Sequence, residues 1–250
     1  MYIKGIGSGI IKRIDEILKS GILKEVVLEP KSDIYLKSIT NLEQVYGIGR
    51  EKAIELIDQY NIMNVKDLKD AVKNKQIDLP DNILIGLKYY GIYQQKISRT
   101  EMLEYEIKLN NILLSLDPTL IGIICGSYRR LSMESNDIDF LIFDPEIKTL
   151  AKAQNSNTLS LIIQELYKKK IIIDGLTSDQ VRTKFMGFCK LSSGSKVRRI
   201  DIRFMPYESY ATALLYFTGS GNFNKKMRGI ETQMGYLLNE YGLYTIDSKK

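Results

Sequence analysis

Asp137 and Asp139 stand one residue apart in the stretch NDIDFLIF, residues 136–143. On an extended strand, side chains two positions apart share a face. Both carboxylates therefore project to one side with Leu141 and Phe143, while Ile138, Phe140 and Ile142 take the other. Two anions this close beside apolar neighbours repel each other and lose hydration, and a divalent cation is the economical compensation. A third acid, Asp201, lies in RRIDIRF (198–204), on the same face of its own strand as Arg199 and Arg203. If that strand runs beside the first, three carboxylates suffice to hold two Mg2+ ions roughly 4 Å apart, an arrangement suited to in-line phosphoryl transfer. The bland alternative is a solvated strand edge whose charges prevent pairing with other chains.

The turn just upstream favours the chemical reading. GSYRR (126–130) offers Gly126 for close backbone approach, the Ser127 hydroxyl, and Arg129 and Arg130 as forked anion binders. A triphosphate cradle then sits beside a metal pair. Gly-Ser, nine intervening residues, Asp-x-Asp and a later single Asp on a neighbouring strand together point to nucleotidyl transfer.

The rest of the composition narrows the chemistry. The chain has no histidine, so acid-base work falls to carboxylates, Lys, Tyr or a metal. Its two cysteines, Cys125 and Cys189, lie in apolar stretches, which predicts buried free thiols in an intracellular, reducing compartment. Nuclear, cytoplasmic and viral settings are not distinguished. Hydrophobic residues at 44% and charged residues at 26% exclude a disordered chain. No apolar run approaches the ~18 residues of a membrane span, and MYIKGIGSGI has no secretory leader pattern. The net charge of +6 is clustered: Arg182, Lys184, Lys190, Lys196, Arg198, Arg199 and Arg203 face the single acid Asp201 across residues 182–203. Lys225, Lys226 and Arg228 form a second group. Such clusters suit a polyanionic partner, and the bland alternative is a solvated basic face.

Several elements must position these groups. IKGIGSGIIKRIDEIL (3–18) is echoed by VYGIGREKAIELI (45–57), each a glycine turn leading into a helix. Gly5, Gly7, Gly47 and Gly49 permit tight turns with positive φ. The backbone N–H groups left free at each helix start suit a nucleic-acid phosphate. In the helices that follow, Ile10, Ile14, Ile17 and Leu18, and Ala53, Ile54 and Ile57, recur at helical spacing. Residues 61–115 read as helical, including NILIGLKYYGIYQQKI. After Asp117-Pro118 short β-rich runs take over (LIGIIC, DIDFLIF, TKFMGFCKL, RRIDIRFM), with the helix TLSLIIQELYKKK and the polar loop AKAQNSNT among them. Helix signals return from residue 208, broken by a turn at Gly219–Gly221.

CGSYRR...NDIDFLI, TKFMGFC, RRIDIRFMP, LLYFTGSGNFNKKMR, LEQVYGIGREKA and IGLKYYG together resemble the family X DNA polymerases, over essentially the whole chain. The resemblance implies an α+β fold: a nucleotidyltransferase palm with a central mixed sheet, preceded by helix-hairpin-helix subdomains and followed by a mostly helical nucleotide-selecting part. The implied boundaries are a partial lyase-like region at 1–30, a DNA-binding helical part at 31–98, a palm at 99–207 and a C-terminally incomplete nucleotide-selecting part at 208–250. Asp137 and Asp139 would bridge both Mg2+ ions, with Mn2+ as a possible substitute. Asp201 would bind the catalytic ion and draw the proton from the primer 3′-hydroxyl. Lys96, Gly126, Ser127, Arg130 and the Asn136 backbone would hold the triphosphate. Tyr216, Phe217 and Gly219 would crowd the sugar 2′ position, so that dNTPs are preferred, and Asn224 would meet the base. Lys184, Arg199 and Arg228 would touch DNA, with Arg199 at the primer phosphate. Arg203 would pair with Asp139 in an open state and release it on closing, gated by Phe217. A Na+ or K+ ion would sit on carbonyls of Glu43, Val45 and Ile48, and another on those of Ile3 and Ile6.

The chain departs from the pattern in places. Arg13 replaces the lysine that forms a Schiff base in the family, so 5′-deoxyribose phosphate lyase activity is not expected. Leu131 and Asn136 stand where the family has glycines, and Gly221 replaces an acid beside the base. The expected activity is template-directed, Mg2+-dependent gap filling in DNA repair by a monomer, as in base excision repair. The alternatives are a template-independent nucleotidyltransferase of terminal-transferase or RNA-tailing type, and a catalytically silent DNA-binding scaffold.

Overall fold

The computed structural model describes residues 7–21, 30–92, 94–177 and 181–246. The chain divides into two compact units at Leu79–Pro80. Ile3, Gly5 and Ile6, assigned above to a first hairpin and its cation, lie outside the described residues.

In the first unit, helix α1 (Ser8–Ser20) starts after Gly7, whose backbone is extended, and stops at Gly21 in the left-handed region (φ 71°). Its stripe of Ile10, Ile14, Ile17 and Leu18 is exposed. Helix α2 (Pro30–Leu42), which sequence periodicity did not single out, packs on α3 (Arg50–Tyr60). The turn between them closes as expected at Gly47 (φ 91°), but Gly49 is extended (φ −91°) and serves as the α3 N-cap; one left-handed glycine is enough to reverse the chain here. Helix α4 (Val65–Lys73) is capped by the Asn64 side chain, which accepts from the Asp67 backbone N–H at 3.0 Å. Ile39, Leu42, Val45, Ala53, Leu56 and Leu68 supply the buried core.

In the second unit, α5 (Asp81–Lys88) ends earlier than NILIGLKYYGIYQQKI predicts. Gly91 adopts φ 86°, and the chain turns into the short strand β1 (Ile97–Ser98). Ser98 then caps the long helix α6 (Arg99–Leu116), accepting from the Glu101 N–H at 3.2 Å. Strand β2 (Ile121–Ile124), the short helix α7 (Gly126–Arg129), β3 (Glu134–Ser135) and β4 (Ile138–Asp144) follow. AKAQNSNT is not wholly a loop. Thr149 caps a helix α8 (Leu150–Asn155) whose Ala153 is fully buried. Next come α9 (Thr158–Lys168), β5 (Ile172–Gly175), β6 (Lys184–Cys189), β7 (Arg198–Pro206), α10 (Tyr210–Thr218) and α11 (Gly221–Gln233). Gly235, left-handed at φ 81°, follows α11, and the chain continues as a hairpin of β8 (Tyr236–Leu238) and β9 (Leu243–Thr245), where helix had been expected.

The central sheet is mixed, with order β2-β4-β7-β6-β5. β4 and β7 are parallel and the other neighbours antiparallel. One face carries Ile138, Phe140, Ile142, Ile200, Ile202 and Phe204 into a core closed by α6 and α9. On the opposite face Leu141, Phe143 and Met205 are covered by Ala213 of α10. Each such large side chain stabilises the fold by about 1.5–3 kcal/mol on burial. That cover reaches only the C-terminal half of β4 and β7; the N-terminal half of the same face carries the acids.

Candidate active site

The parallel pairing of β4 and β7 sets Asp139 opposite Asp201, with Ile138 opposite Ile200 and Phe140 opposite Ile202. Register partners in a sheet share a face, so the two acids stand side by side where α10 leaves the sheet open. On the next strand Met186 is level with Asp201, Lys184 with Arg203 and Phe188 with Arg199. Asp137 immediately precedes β4.

Electrostatics mark the first two acids as strained neighbours. Burial, then the charges of Asp137 and Asp201, push the Asp139 carboxyl up to about 7; Arg199 and Arg203 partly offset this. Asp137 is raised by burial and then by Asp201. The ion pair of the group goes to Asp201, both of whose oxygens accept from Arg199 Nη2 at 3.0 Å. Among the described residues, no group of three or more acidic, Cys or His side chains is arranged to cage an ion as it stands. The donor chemistry nonetheless fits one: two half-buried, mutually repelling carboxylates without the guanidinium that Asp201 enjoys, and a third beside them. Gly126, in the left-handed region at φ 57°, makes the room. A Cβ there would come 2.5 Å from Asp139 Oδ2.

A cleft of about 290 Å³ opens on Asp137 and Asp139, lined also by Gly126, Ser127, Arg130, Asn136, Tyr216, Phe217, Gly219 and Asn224, joined by Thr218, Ser220 and Gly221; Asp201 stands beside Asp139 outside this lining. The structure thus brings together residues that lie ninety positions apart in sequence. Lys96 reaches it by donating to the Asn136 side chain. Ser127 Oγ donates to Ser135 Oγ at 2.8 Å. The far wall is the end of α10. Arg130 donates to the Thr218 carbonyl at 2.6 Å, Arg129 to the Thr218 hydroxyl at 2.9 Å, and Asn224 to the Tyr216 carbonyl at 2.7 Å. The Gly219–Ser220 peptide is cis. Arg228 lies over the Tyr216 ring at 5.3 Å.

Some sequence expectations change. The Arg203 guanidinium sits over the Phe217 ring at 5.6 Å and its charge lowers the Asp139 carboxyl from there; the expected ion pair with Asp139 belongs to an open state. Arg198, counted above in the basic cluster facing a polyanion, is 2% exposed and faces inward. Its Nε and Nη2 donate to Glu101 at 2.7 and 2.6 Å. Strand alternation is the reason, since Arg198 shares the core face with Ile200 and Ile202. Two supporting residues carried no sequence signal. Arg99 donates to the carbonyls of Tyr128 (2.9 Å) and Ser132 (3.4 Å) and stacks on the Tyr128 ring at 4.5 Å, and Glu106 accepts from the Tyr128 hydroxyl at 2.7 Å. Both brace the Gly126–Arg130 turn from α6. In the first unit, Glu43, Val45 and Ile48 lie in the turn between α2 and α3, where the Val45 carbonyl already accepts from the Ile48 N–H at 3.1 Å.

Family models match three consecutive stretches: the fingers domain of DNA polymerase lambda over residues 40–94, the DNA polymerase beta palm over 96–207 and the DNA polymerase beta thumb over 213–250. The chain is 29% identical over 245 residues to DNA polymerase lambda of Rattus norvegicus, covering 96% of this chain and 40% of that protein. It is 26% identical over 255 residues to DNA polymerase lambda of Arabidopsis thaliana (97% and 45%). DNA polymerase IV of Saccharomyces cerevisiae is 24% identical over 319 residues (97% and 53%). The chain therefore spans about half, or less, of the length of these relatives.

Proposed function

The chain belongs to the family X DNA polymerases, and on that premise we propose that it is a template-directed DNA polymerase that fills short gaps during DNA repair, such as base excision repair. The observation that carries the reading is the level pairing of Asp139 with Asp201 on adjacent strands, with Asp137 and Asp139 lining a cleft that Ser127, Arg130 and the end of α10 also line.

Asp137, Asp139 and Asp201 are the residues that would hold Mg2+, or Mn2+ in its place; bound metal neutralises the charge that grows on the transferring phosphoryl group. The protein's own groups do the rest. Lys96, Ser127, Arg130 and the Asn136 backbone grip the triphosphate. Tyr216, Phe217 and Gly219 press on the sugar at its 2′ carbon and select the deoxy form. Asn224 reaches the base edge. Asp201, oriented by Arg199, accepts the proton as the primer 3′-oxygen bonds to the α-phosphorus; the bond from that phosphorus to the bridging oxygen breaks and pyrophosphate leaves. Lys184, Arg199 and Arg228 meet DNA phosphates and the template. The turn at Gly47–Gly49 and the start of α1 after Gly7 grip the DNA backbone, with Na+ or K+ on the carbonyls of Glu43, Val45 and Ile48; the corresponding roles of Gly5 and of the Ile3 and Ile6 carbonyls fall outside the described residues. The free, buried thiols of Cys125 and Cys189 support a reducing intracellular setting, and the chain acts as a monomer.

The test is primer extension across a one-nucleotide gap with Mg2+, dNTP against rNTP, wild type against Asp201→Ala. Wild type should incorporate the templated dNTP, and the variant should bind gapped DNA yet lose extension by about 10²- to 10⁴-fold. Equal extension by both removes Asp201 from its role. Tailing of a single strand without template supports the template-independent alternative, and DNA binding with no transfer supports the scaffold.

A further inference from the structure

Among the ionic contacts of the second unit, Arg198 is distinct in being almost wholly buried and in using three guanidinium nitrogens on two targets. Nε and Nη2 form a fork on the Glu101 carboxylate (2.7 and 2.6 Å), and Nη1 donates to the Gln95 carbonyl at 2.9 Å. The pair lies among Tyr105 and Cys189, both fully buried. What it joins is informative. Arg198 precedes Arg199, which holds Asp201, on β7. Gln95 precedes Lys96, which donates to Asn136, and Ile97, which pairs with Ser135, the acceptor of the Ser127 hydroxyl. Glu101 lies in the first turn of α6, fixed by the Ser98 cap. Besides the pairing of β4 with β7, the strand with Asp201 is thus tied through one guanidinium to the segment that carries Lys96 and to the start of α6.

A buried ion pair is a poor device for stability, because desolvating both charges offsets their attraction and an apolar pair of similar volume often does as well. A bidentate fork does fix distance and angle. We propose that Glu101 and Arg198 are positioning residues that set the spacing between Asp201 and the Lys96–Asn136–Ser127 grip on the nucleotide. The proposal rests on the polymerase reading above.

The experiment compares wild type, Arg198→Lys and the double variant Glu101→Leu/Arg198→Met in single-turnover extension of a one-nucleotide gap. Extension rate at saturating dNTP, dNTP Kd, gapped-DNA Kd and thermal unfolding are measured on the same preparations. Arg198→Lys keeps the charge and loses the fork. A misplacement of about an ångström costs up to about 100-fold in rate, so the expected fall is about 10- to 100-fold with gapped-DNA affinity within about twofold of wild type. The double variant removes both charges together. It should unfold near the wild-type temperature while its extension rate stays about 10- to 100-fold low. A purely structural pair gives the opposite pattern: a double variant that regains stability and full rate overturns the proposal, as does Arg198→Lys at wild-type rate while folded. If the double variant does not fold, Arg198→Lys decides alone. Wild type that fails to extend the primer removes the polymerase reading and this inference with it, whereas active wild type with equally active variants removes only the inference.

Discussion

Asp139 and Asp201 lie directly opposite each other on the only parallel pair of strands in the central sheet, β4 and β7. The two strands are separated by more than fifty residues of chain, yet their register makes the acids neighbours on a stretch of sheet N-terminal to the part that α10 covers. Several consequences of that relationship are open to measurement.

Protonation of Asp139 should stabilise the protein when divalent ions are chelated. Burial and the neighbouring acids lift its carboxyl to about 7, above the ~3.9 of an unfolded aspartate. Between those values the native state binds more protons than the unfolded one, so this group lowers stability as pH rises from about 4 to 7 and remains unfavourable above. Asp139→Asn in EDTA should therefore unfold at a higher temperature than wild type at pH 8, by an amount on the order of 4 kcal/mol at most, with the difference shrinking as pH falls and closing only below about pH 4. Thermal melts across pH decide it; a constant difference at all pH values would contradict the assignment. Adding Mg2+ should raise the wild-type melt at pH 8 and not that of the variant.

Gly126→Ala should damage the acid pair without weakening DNA binding. The new Cβ would lie 2.5 Å from Asp139 Oδ2, and the residue would be held at φ 57°, where an L side chain costs about 1–2 kcal/mol. Extension across a one-nucleotide gap is expected to fall at least about 10-fold, read by single-turnover quench, while gapped-DNA anisotropy stays unchanged. An alanine variant at full rate would mean the carboxylate has slack the geometry denies.

Leu131→Gly should stabilise. Leu131 adopts φ 65° and is 73% exposed, so replacing it relieves left-handed strain at almost no loss of burial. A gain of about 1 kcal/mol in urea unfolding is expected. A loss of that size would show that the Leu131 side chain packs on something in solution.

Lys184→Ala should weaken gapped-DNA binding evenly across sequences and reduce the slope of log K against log salt by about one, as the loss of one phosphate contact requires. Titrations over a range of KCl test this. An unchanged slope would take Lys184 off the DNA.

Much of this molecule is legible in the chain itself. Strand alternation alone assigns Asp139 and Leu141 to one face and Ile138, Phe140 and Ile142 to the other, because the pleat has period two whatever surrounds it; the two cores divide along that line. Gly-Ser before the acids is likewise a local pattern with a local cause. Periodicity misled where a single residue vetoed it. Gly91 follows the turn that ends α5, Gly235 precedes β8, and in both cases a left-handed backbone redirects a chain whose apolar spacing still reads as helix. What the sequence by itself determined is the local placement of the candidate groups, acids at alternate positions of one strand behind a Gly-Ser turn, because strand alternation is a local property. Tertiary structure alone decided which cations lie beside the acids: Arg198 and Arg199 are adjacent and identical in type, but the pleat sends one to Glu101 on the core face and the other to Asp201 beside Asp139. The partner that makes the difference lies 97 residues away, and no local pattern encodes a contact at that range.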